Sequence, residues 1–337
     1  MAESYISHYL PERFVSRHKL LLFFNDILVD MLEKADKFNL SSSTINLKDN
    51  QEIPDDIDSI IDWLIENGYK KEAYESTKAH VFFSLLRDFL FYMHESFSCS
   101  ERGKVTVAFS NSRKPIKDNL FYMCWLLVDT EELITKLLDE NPKTFDVSSI
   151  DFKDKEKIIT KATQKINFSL SGELLTEIIY DRKSAKGLSA IWDKSLHIIT
   201  GNKNYPTSVG NLNFIFADDK VWDEHWEAYY NKIPFIMTFA SKVSITLFED
   251  IANVRSEIKT FNQLIRSIKY DMTFSDDFNP DDYKNLFNKL LFTCEECKYE
   301  YKLDSRMEME FINDYLFSCP NCKSLERVGQ YYFDSSD

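Results

Sequence analysis

The sequence predicts an all-α protein, a multi-helix bundle with a small C-terminal β zinc ribbon, and three observations support this fold class. Apolar residues recur at intervals of three and four over most of the 337 residues, the spacing of one helix face. The chain has only seven glycines and eight prolines. Four of its six cysteines form two close pairs near the C-terminus. We expect an N-terminal helical region over 1–142, a second helical region over 143–290 and a ribbon over 291–333.

The apolar spacing predicts the helices in order along the chain. Gly68 is a typical residue to follow a helix and ends the second one, and Pro115 is expected to kink the fourth helix or to begin its second half. Polar segments at 41–54, 143–154 and 201–219 predict loops, and the second of these separates the two helical regions. The predicted helices cover 14–38, 55–67, 71–97, 104–128, 130–140, 155–166, 172–181 and 184–199.

The most regular apolar pattern follows Pro234. Apolar residues are spaced three or four apart without interruption from Ile236 to Ile268. This heptad-like seam predicts one helix of roughly 50 Å at about 1.5 Å per residue. Such a seam is typical either of the central helix of a bundle or of a homodimer interface, and both alternatives stay open.

The two cysteine pairs are the strongest functional signal. Each is a C-x-x-C knuckle, and 21 residues separate the pairs. Two facing knuckles place four thiolates around one ion, which predicts one structural Zn²⁺ in a zinc-ribbon or treble-clef site without an open position for catalysis. Segments 299–303, 310–317 and 327–333 alternate polar and apolar residues and predict the strands of the ribbon. The expected ligands are Cys294, Cys297, Cys319 and Cys322.

Composition indicates where the protein works and what it binds. The N-terminus lacks the segments of a signal peptide, and no apolar run is long enough to span a bilayer, so we expect a cytoplasmic protein with no membrane partner. The net charge of −14 opposes nucleic-acid binding, yet 102–117 contains bases and no acid. That segment predicts a nucleic-acid-binding surface of Arg102, Lys104, Arg113, Lys114 and Lys117.

Several enzyme classes are disfavoured by their missing patterns. The chain has no glycine-rich phosphate loop, no H-E-x-x-H and no G-x-S-x-G. It also lacks the P-C-x-x-C that accompanies H-x-E in zinc deaminases. A P-loop nucleotide-binding enzyme, a zinc hydrolase or a deaminase is therefore not expected.

One predicted helix carries a polar stripe on an otherwise apolar surface. Arg87 and His94 are seven residues apart, almost two helical turns, and therefore share a face, and Asp88 adjoins it. This pattern resembles the R-x4-6-H motif of the HEPN superfamily, all-helical domains found in toxin and antiviral ribonucleases. The next segment, 113–127, looks like the arginine-bearing helix of HEPN-like bacterial proteins. The resemblance covers roughly residues 70–140.

The HEPN resemblance implies an endoribonuclease that cleaves RNA by metal-independent transesterification, in a toxin or anti-phage defence setting. His94 would act as acid or base, Arg87 would contact the phosphate and Asp88 would orient one of them. An imidazole and a guanidinium suit these roles chemically. The family also implies a homodimer in which two such motifs meet.

Simpler interpretations of the same residues stay open. A polar stripe on a helix is commonly its solvated side. Two other functions therefore compete with RNA cleavage: a non-catalytic helical scaffold that uses the ribbon to contact a protein partner, and a nucleic-acid-binding regulator without nuclease activity. Between Asn285 and Gln330 there are 6 bases and 8 acids, which favours protein contact over phosphate binding for the ribbon.

Overall fold

The computed structural model describes residues 9–48, 51–54, 56–139, 141–201, 203, 206–210, 212–213, 219–275, 279, 291–294, 296–314 and 316–327. Over these residues the chain is mostly helical, with short strands near the cysteines, and the predicted fold class is confirmed. The helices are α1 (Val15–Lys37), α2 (Ile60–Glu66), α3 (Lys70–Glu101), α4 (Val105–Lys114), α5 (Leu120–Val128), α6 (Thr130–Leu137), α7 (Phe152–Lys165), α8 (Gly172–Tyr180), α9 (Ser189–Leu196), α10 (Asp219–Tyr230), α11 (Ile233–Ile251), α12 (Ser256–Phe274) and α13 (Ser305–Asp314). The strands are β1 (Phe292–Thr293), β2 (Glu300–Tyr301), β3 (Leu316–Ser318) and β4 (Leu325–Arg327).

Local sequence signals explain where several helices begin. Ser59, Asp129 and Ser171 each precede a helix and accept a hydrogen bond from a backbone N–H three residues later, the usual N-cap arrangement. The helix predicted over 104–128 is continuous, but its middle, Pro115–Asn119, is a π-helical turn. Leu120 N–H closes this turn on Pro115 O. A π-helical turn holds one residue more than an α-helical turn, so it changes which side chains face the core.

The single long helix predicted for the apolar seam is wrong, because α11 and α12 take its place. Asn253 has a φ of 48°, in the left-handed region, and Val254 N–H donates to Glu249 O at 3.0 Å, so a terminating turn closes α11. The apolar spacing continues across the break because Val254 and Ile258 pack against the same core as α11. The α11 half of the seam is buried inside this chain.

The described chain has one large core, and α3 lies at its centre. α3 packs against α1, α4, α5, α6 and the π-helical turn. The core extends from Leu10 to Phe248, so residues on both sides of position 142 share it, and the boundary between the two helical regions stays a prediction. The buried stripe of α3 includes Phe82, Leu86, Phe89, Met93 and Phe97.

A buried polar junction joins α1, α3 and α10. Ser100 O–H donates to the Tyr230 hydroxyl oxygen at 3.0 Å, and that hydroxyl lies 2.9 Å from Nδ1 of His18. The Tyr230 hydroxyl hydrogen is then free to point to Nδ1. Nε2 of the same ring lies 3.2 Å from Glu101 Oε2 but does not have the geometry of a hydrogen bond. His18 and Ser100 are fully buried, so these bonds replace the hydrogen bonds to water that folding removes.

The ribbon differs in part from its predicted strands. β1 pairs antiparallel with β2, and β3 with β4. β2 lies within the predicted 299–303 strand, whereas the strand predicted over 310–317 is wrong in its first part, because α13 occupies those residues. The strand predicted over 327–333 overlaps β4 only at Arg327. Its other residues, 328–333, lie outside the described residues.

The ribbon is packed on α12. Ile265 and Ile268 of α12 share a hydrophobic cluster with ribbon residues, and the fully buried Cys294 and Cys319 belong to it. Three ribbon rings line this cluster with centroid distances of 5.5 to 6.1 Å; they are Phe292, Tyr301 and Phe317. The two-strand pairs alone are too short to be stable, so this packing supports them.

The remaining predictions concern loops and membranes. Residues 42–48 and 51–54 lack regular secondary structure, as predicted, and 143–154 contain only a short 3₁₀ turn at Pro142–Thr144 and the start of α7. Much of the predicted 201–219 loop, including 214–218, lies outside the described residues. None of the helices in the described part of the chain has the length and apolar character needed to cross a membrane.

We expect Tyr230→Phe to lower the free energy of unfolding by about 1–3 kcal/mol, because His18 Nδ1 and the Ser100 hydroxyl would each lose a buried partner. Urea unfolding followed by circular dichroism measures the change. Tyr74→Phe is the control: its hydroxyl lies 3.0 Å from the exposed Thr135 side chain, and the loss should be about 0.5 kcal/mol or less. Equal effects of the two variants would contradict a stabilising role for the junction.

Candidate functional site

The cysteines come together in two knuckles of equivalent backbone geometry. Lys298 N–H donates to Cys294 O at 3.0 Å in the first, and Lys323 N–H donates to Cys319 O at 3.0 Å in the second. Both lysines have positive φ angles, 58° and 64°, so the chain turns in the same way after each second cysteine. The β-pairs on either side bring the two turns together.

The sulfur positions are consistent with a metal site. All four Sγ atoms lie within 4.8 Å of one another, with 3.6 Å between Cys294 and Cys322 and 3.7 Å between Cys297 and Cys319. A disulfide has an S–S distance of about 2.05 Å, and all four cysteines are free. Thiolates arranged tetrahedrally at about 2.3 Å from one ion would be about 3.8 Å apart, close to the observed distances.

Nearby donors favour the thiolate form of two cysteines. The Asn321 amide donates to Cys297 Sγ at 3.5 Å and is the main cause that lowers the pKa of that thiol. The Ser324 hydroxyl, 3.0 Å from Cys322 Sγ, lowers the pKa of Cys322. Burial instead raises the pKa of Cys319 to about 11, an effect that a bound cation would reverse. The four residues thus fit a closed, four-thiolate site.

α3 places Arg87 and His94 on one exposed face. Arg87 Nη2 donates to both carboxylate oxygens of Asp36 on α1, at 2.9 and 3.1 Å. The His94 side chain is exposed, and no described residue forms a hydrogen bond with it. Phe91 lies between them on the helix and is 67% exposed, a large apolar side chain in the middle of a polar stripe. The predicted sharing of a face by Arg87 and His94 follows directly from the helix.

Asp88, the third residue of the motif, faces the π-helical turn. Its carboxylate pairs with Lys114 Nζ at 2.7 Å and accepts from Asn119 Nδ2 at 2.8 Å. Lys114 Nζ also lies 4.7 Å from the centroid of the Tyr92 ring. The described contacts of Asp88 are therefore with the basic segment after α3, and not with Arg87 or His94.

The five predicted nucleic-acid-binding residues fall into two groups. Arg102 and Lys104 lie before α4, and Arg102 Nε donates to Ser98 O at 2.9 Å. Arg113, Lys114 and Lys117 lie at or beyond the other end of α4, which spans about 15 Å at about 1.5 Å per residue. The second group is joined to the α3 motif through the pairing of Lys114 with Asp88.

The sequence did not single out three residues at the π-helical turn: Asp118 within it, and Lys155 and Tyr180 close to it. Tyr180 O–H donates to Lys117 O at 2.5 Å, and the Nζ atoms of Lys117 and Lys155 lie 6.0 and 5.3 Å from the centroid of the Tyr180 ring. Burial is the main cause that lowers the pKa of both lysines and raises that of Asp118. A proline inside an otherwise regular helical pattern was the available signal that this turn is unusual.

No family model matches the chain, and no curated protein or solved structure matches it either. The HEPN resemblance therefore stays a prediction that rests on the spacing of Arg87 and His94. Functional inference has to proceed from the side chains themselves, that is, from the four cysteines, the exposed face of α3 and the π-helical turn.

We expect Asn119→Leu to lower the free energy of unfolding by about 2–3 kcal/mol. The Asn119 amide is buried and donates hydrogen bonds to Leu85 O at 3.1 Å and to Asp88. Its replacement by leucine removes both bonds, so each of these two acceptors loses a donor. Urea unfolding measures the effect. Asn111→Leu on α4 is the matched control, because no described residue hydrogen-bonds that amide. If both variants were equally stable, Asn119 would not hold the turn against α3.

Proposed function

We propose that this protein is a HEPN-like effector that cleaves RNA without a metal ion in the reaction, at the exposed face of α3. The observation that carries the proposal is the arrangement of Arg87, Phe91 and His94 in one row. They offer a cation, an exposed aromatic ring and an exposed imidazole to which no described residue forms a hydrogen bond. A toxin or anti-phage defence role rests on the family resemblance alone, and the free paired cysteines favour a location in the reducing cytoplasm.

The three side chains supply what transesterification of RNA requires. His94 accepts the proton of a 2′-hydroxyl as its oxygen attacks the adjacent phosphorus. As the bond from phosphorus to the 5′-oxygen breaks, that oxygen takes a proton from a protonated imidazole, that of His94 in the same or in a second copy of the chain. Arg87 binds the phosphate, where negative charge develops. Its Nη2 is held by Asp36, so the remaining N–H groups of the guanidinium stay available. Each of these groups is exposed, which a polymeric substrate needs.

Phe91 has a role that the motif alone does not define. Its ring is exposed between the two polar residues, where it offers a flat surface to a base. Stacking of a base on an aromatic side chain contributes about 1–3 kcal/mol and depends little on sequence. Phe91 would therefore hold the nucleotide whose phosphate reaches Arg87. A homodimer would bring a second Arg87 and His94 to the same strand.

His94→Ala should reduce RNA cleavage by at least about 100-fold, because it removes the proposed acid or base. The measurement is cleavage of a fluorescent single-stranded RNA in excess EDTA. His80→Ala is the matched control, since His80 is also exposed on α3, and its activity should equal that of wild type. The catalytic proposal fails if wild type leaves RNA intact, or if His94→Ala cleaves as well as wild type.

The metal that fits the four thiolates best is zinc, and we propose one structural Zn²⁺ per chain. Its binding should contribute on the order of 10 kcal/mol at neutral pH, because the closed site forms only in the folded ribbon. Cys319→Ser should abolish the bound zinc measured by elemental analysis and increase protease cleavage after α12. Cys124→Ser is the control, since Cys124 lies in the core away from the ribbon. A ribbon that keeps its protease resistance without zinc would refute the structural role.

A protein-binding scaffold is the second candidate, and the ribbon surface favours it. Tyr299, Met309 and Leu325 are exposed apolar side chains on this small module. Such residues are common at contacts with other proteins. RNA that stays intact with every variant, together with a ribbon that binds a partner, would favour the scaffold. RNA binding without cleavage would favour a regulator.

A further inference from the structure

Three charged side chains at the π-helical turn are only partly satisfied by contacts within the described chain. Arg113, Lys117 and Asp118 are each half-buried, yet none forms a hydrogen bond through its side chain or an ion pair with a described residue. Nε of Arg113 is shielded from solvent without an acceptor. Partial removal of a charge from water is unfavourable unless another group replaces the water. The arrangement therefore favours a ligand that supplies the missing contacts.

Lys155 of α7 adds a further cation to the same place. It is only 9% exposed, and its Nζ donates to Ile150 O at 2.5 Å. The amines of Lys155 and Lys117 both approach the ring of Tyr180. Burial is the main cause that lowers the pKa of both lysines, and the charge of Arg113 adds to the effect on Lys117. Cations held in this way gain stability from an added anion.

The ion pairs that described residues form around the turn do not involve Arg113, Lys117 or Lys155. Lys114 is neutralised by Asp88 at 2.7 Å, and Arg182 donates to Asp193 at 2.6 Å. Three carboxylates remain nearby: Asp118, on the turn itself, and the exposed Asp146 and Asp151. Asp146 accepts hydrogen bonds from Ser148 and Ser149. Arg113, Lys117 and Lys155 thus lie near one partly buried carboxylate and two exposed ones, whose charges water screens.

We propose that Arg113, Lys117 and Lys155 form a phosphate-binding site beside the π-helical turn. This site extends the proposed RNA-cleaving function. It rests on that function only in one respect, namely that the bound phosphate would come from RNA. A phosphate presents several oxygens and up to two negative charges, so it can accept from a guanidinium and from two amines that approach from different helices. A carboxylate has only two oxygens and one charge.

The proposed site would guide a nucleic-acid strand towards the α3 motif. Lys114 follows Arg113 directly and pairs with Asp88, which in turn follows Arg87. The two sites therefore lie on neighbouring faces of α3. A backbone phosphate held by Arg113 and Lys117 would leave the adjoining nucleotides free to reach Phe91 and His94. Asp118 acts as the internal counter-ion of the cations, and its charge opposes that of the phosphate.

Isothermal titration calorimetry of the full chain with sodium phosphate, adenosine 5′-monophosphate and a single-stranded RNA oligomer tests this site. Wild type should bind all three. Arg113→Gln, Lys117→Met and Lys155→Met should each weaken binding by about tenfold or more, the effect of losing one charged hydrogen bond. Asp118→Asn should bind phosphate at least as tightly as wild type. Lys157→Met removes an exposed lysine from the same helix as Lys155 and should match wild type.

The outcomes separate this site from the catalytic proposal. His94→Ala should bind phosphate like wild type. Loss of cleavage with unchanged phosphate binding would therefore assign the lost activity to the α3 motif and not to the phosphate site. Tighter binding of RNA than of the mononucleotide identifies a backbone phosphate, and the reverse identifies a free phosphate monoester. If Arg113→Gln does not fold, Arg113→Lys takes its place. This variant keeps the positive charge but loses the paired N–H donors of the guanidinium, so its affinity should be intermediate. The proposal is wrong if wild type binds none of the probes, or if Lys117→Met binds them equally well.

Discussion

Burial of one stripe of α3 determines where the candidate functional residues lie. The stripe turns Phe82, Leu86, Phe89 and Met93 into the core, and the remaining faces of the helix are then fixed by its 3.6-residue period. One of these faces is open to solvent and carries the predicted motif. The adjoining face carries Asp88 and meets the basic segment. Any change that rotated α3 would bury the charged side chains, which is much costlier than exposing apolar ones.

The π-helical turn is the second constraint, and it depends on the first. Pro115 has no N–H, so it cannot complete the α-helical ladder at that point, and the chain accommodates it with one wide turn. Asn119 then fastens the turn to α3 through the Leu85 carbonyl. The extra residue in the turn places Lys117 and Asp118 in partly buried positions. In a regular α-helix these side chains would point in other directions. The unusual backbone and the partial burial of these two charges therefore have a common origin.

Sequence patterns predicted features that depend on local spacing and missed those that depend on tertiary contacts. The cysteine cluster was predictable because each knuckle is set by four consecutive residues. The break after α11 was not predictable. Apolar residues recur wherever a helix contacts the core, so the spacing continues when two successive helices contact the same core. The α13 segment was mistaken for a strand because short alternating patterns also fit part of a helix. Lys155 and Tyr180 join Lys117 only through the packing of separate helices.

The ribbon is more closely joined to the bundle than its sequence position indicates. Cys294 and Cys319 are fully buried in the same cluster as Ile265 and Ile268, so the groups suited to a metal also form part of the contact with α12. α12 in turn packs against α1, and Arg17 of α1 lies over the Phe274 ring at 5.6 Å. The energy that metal binding gives to the ribbon would thus extend to a helix of the bundle. A closed site of this kind acts on the rest of the protein through packing rather than through chemistry at the metal.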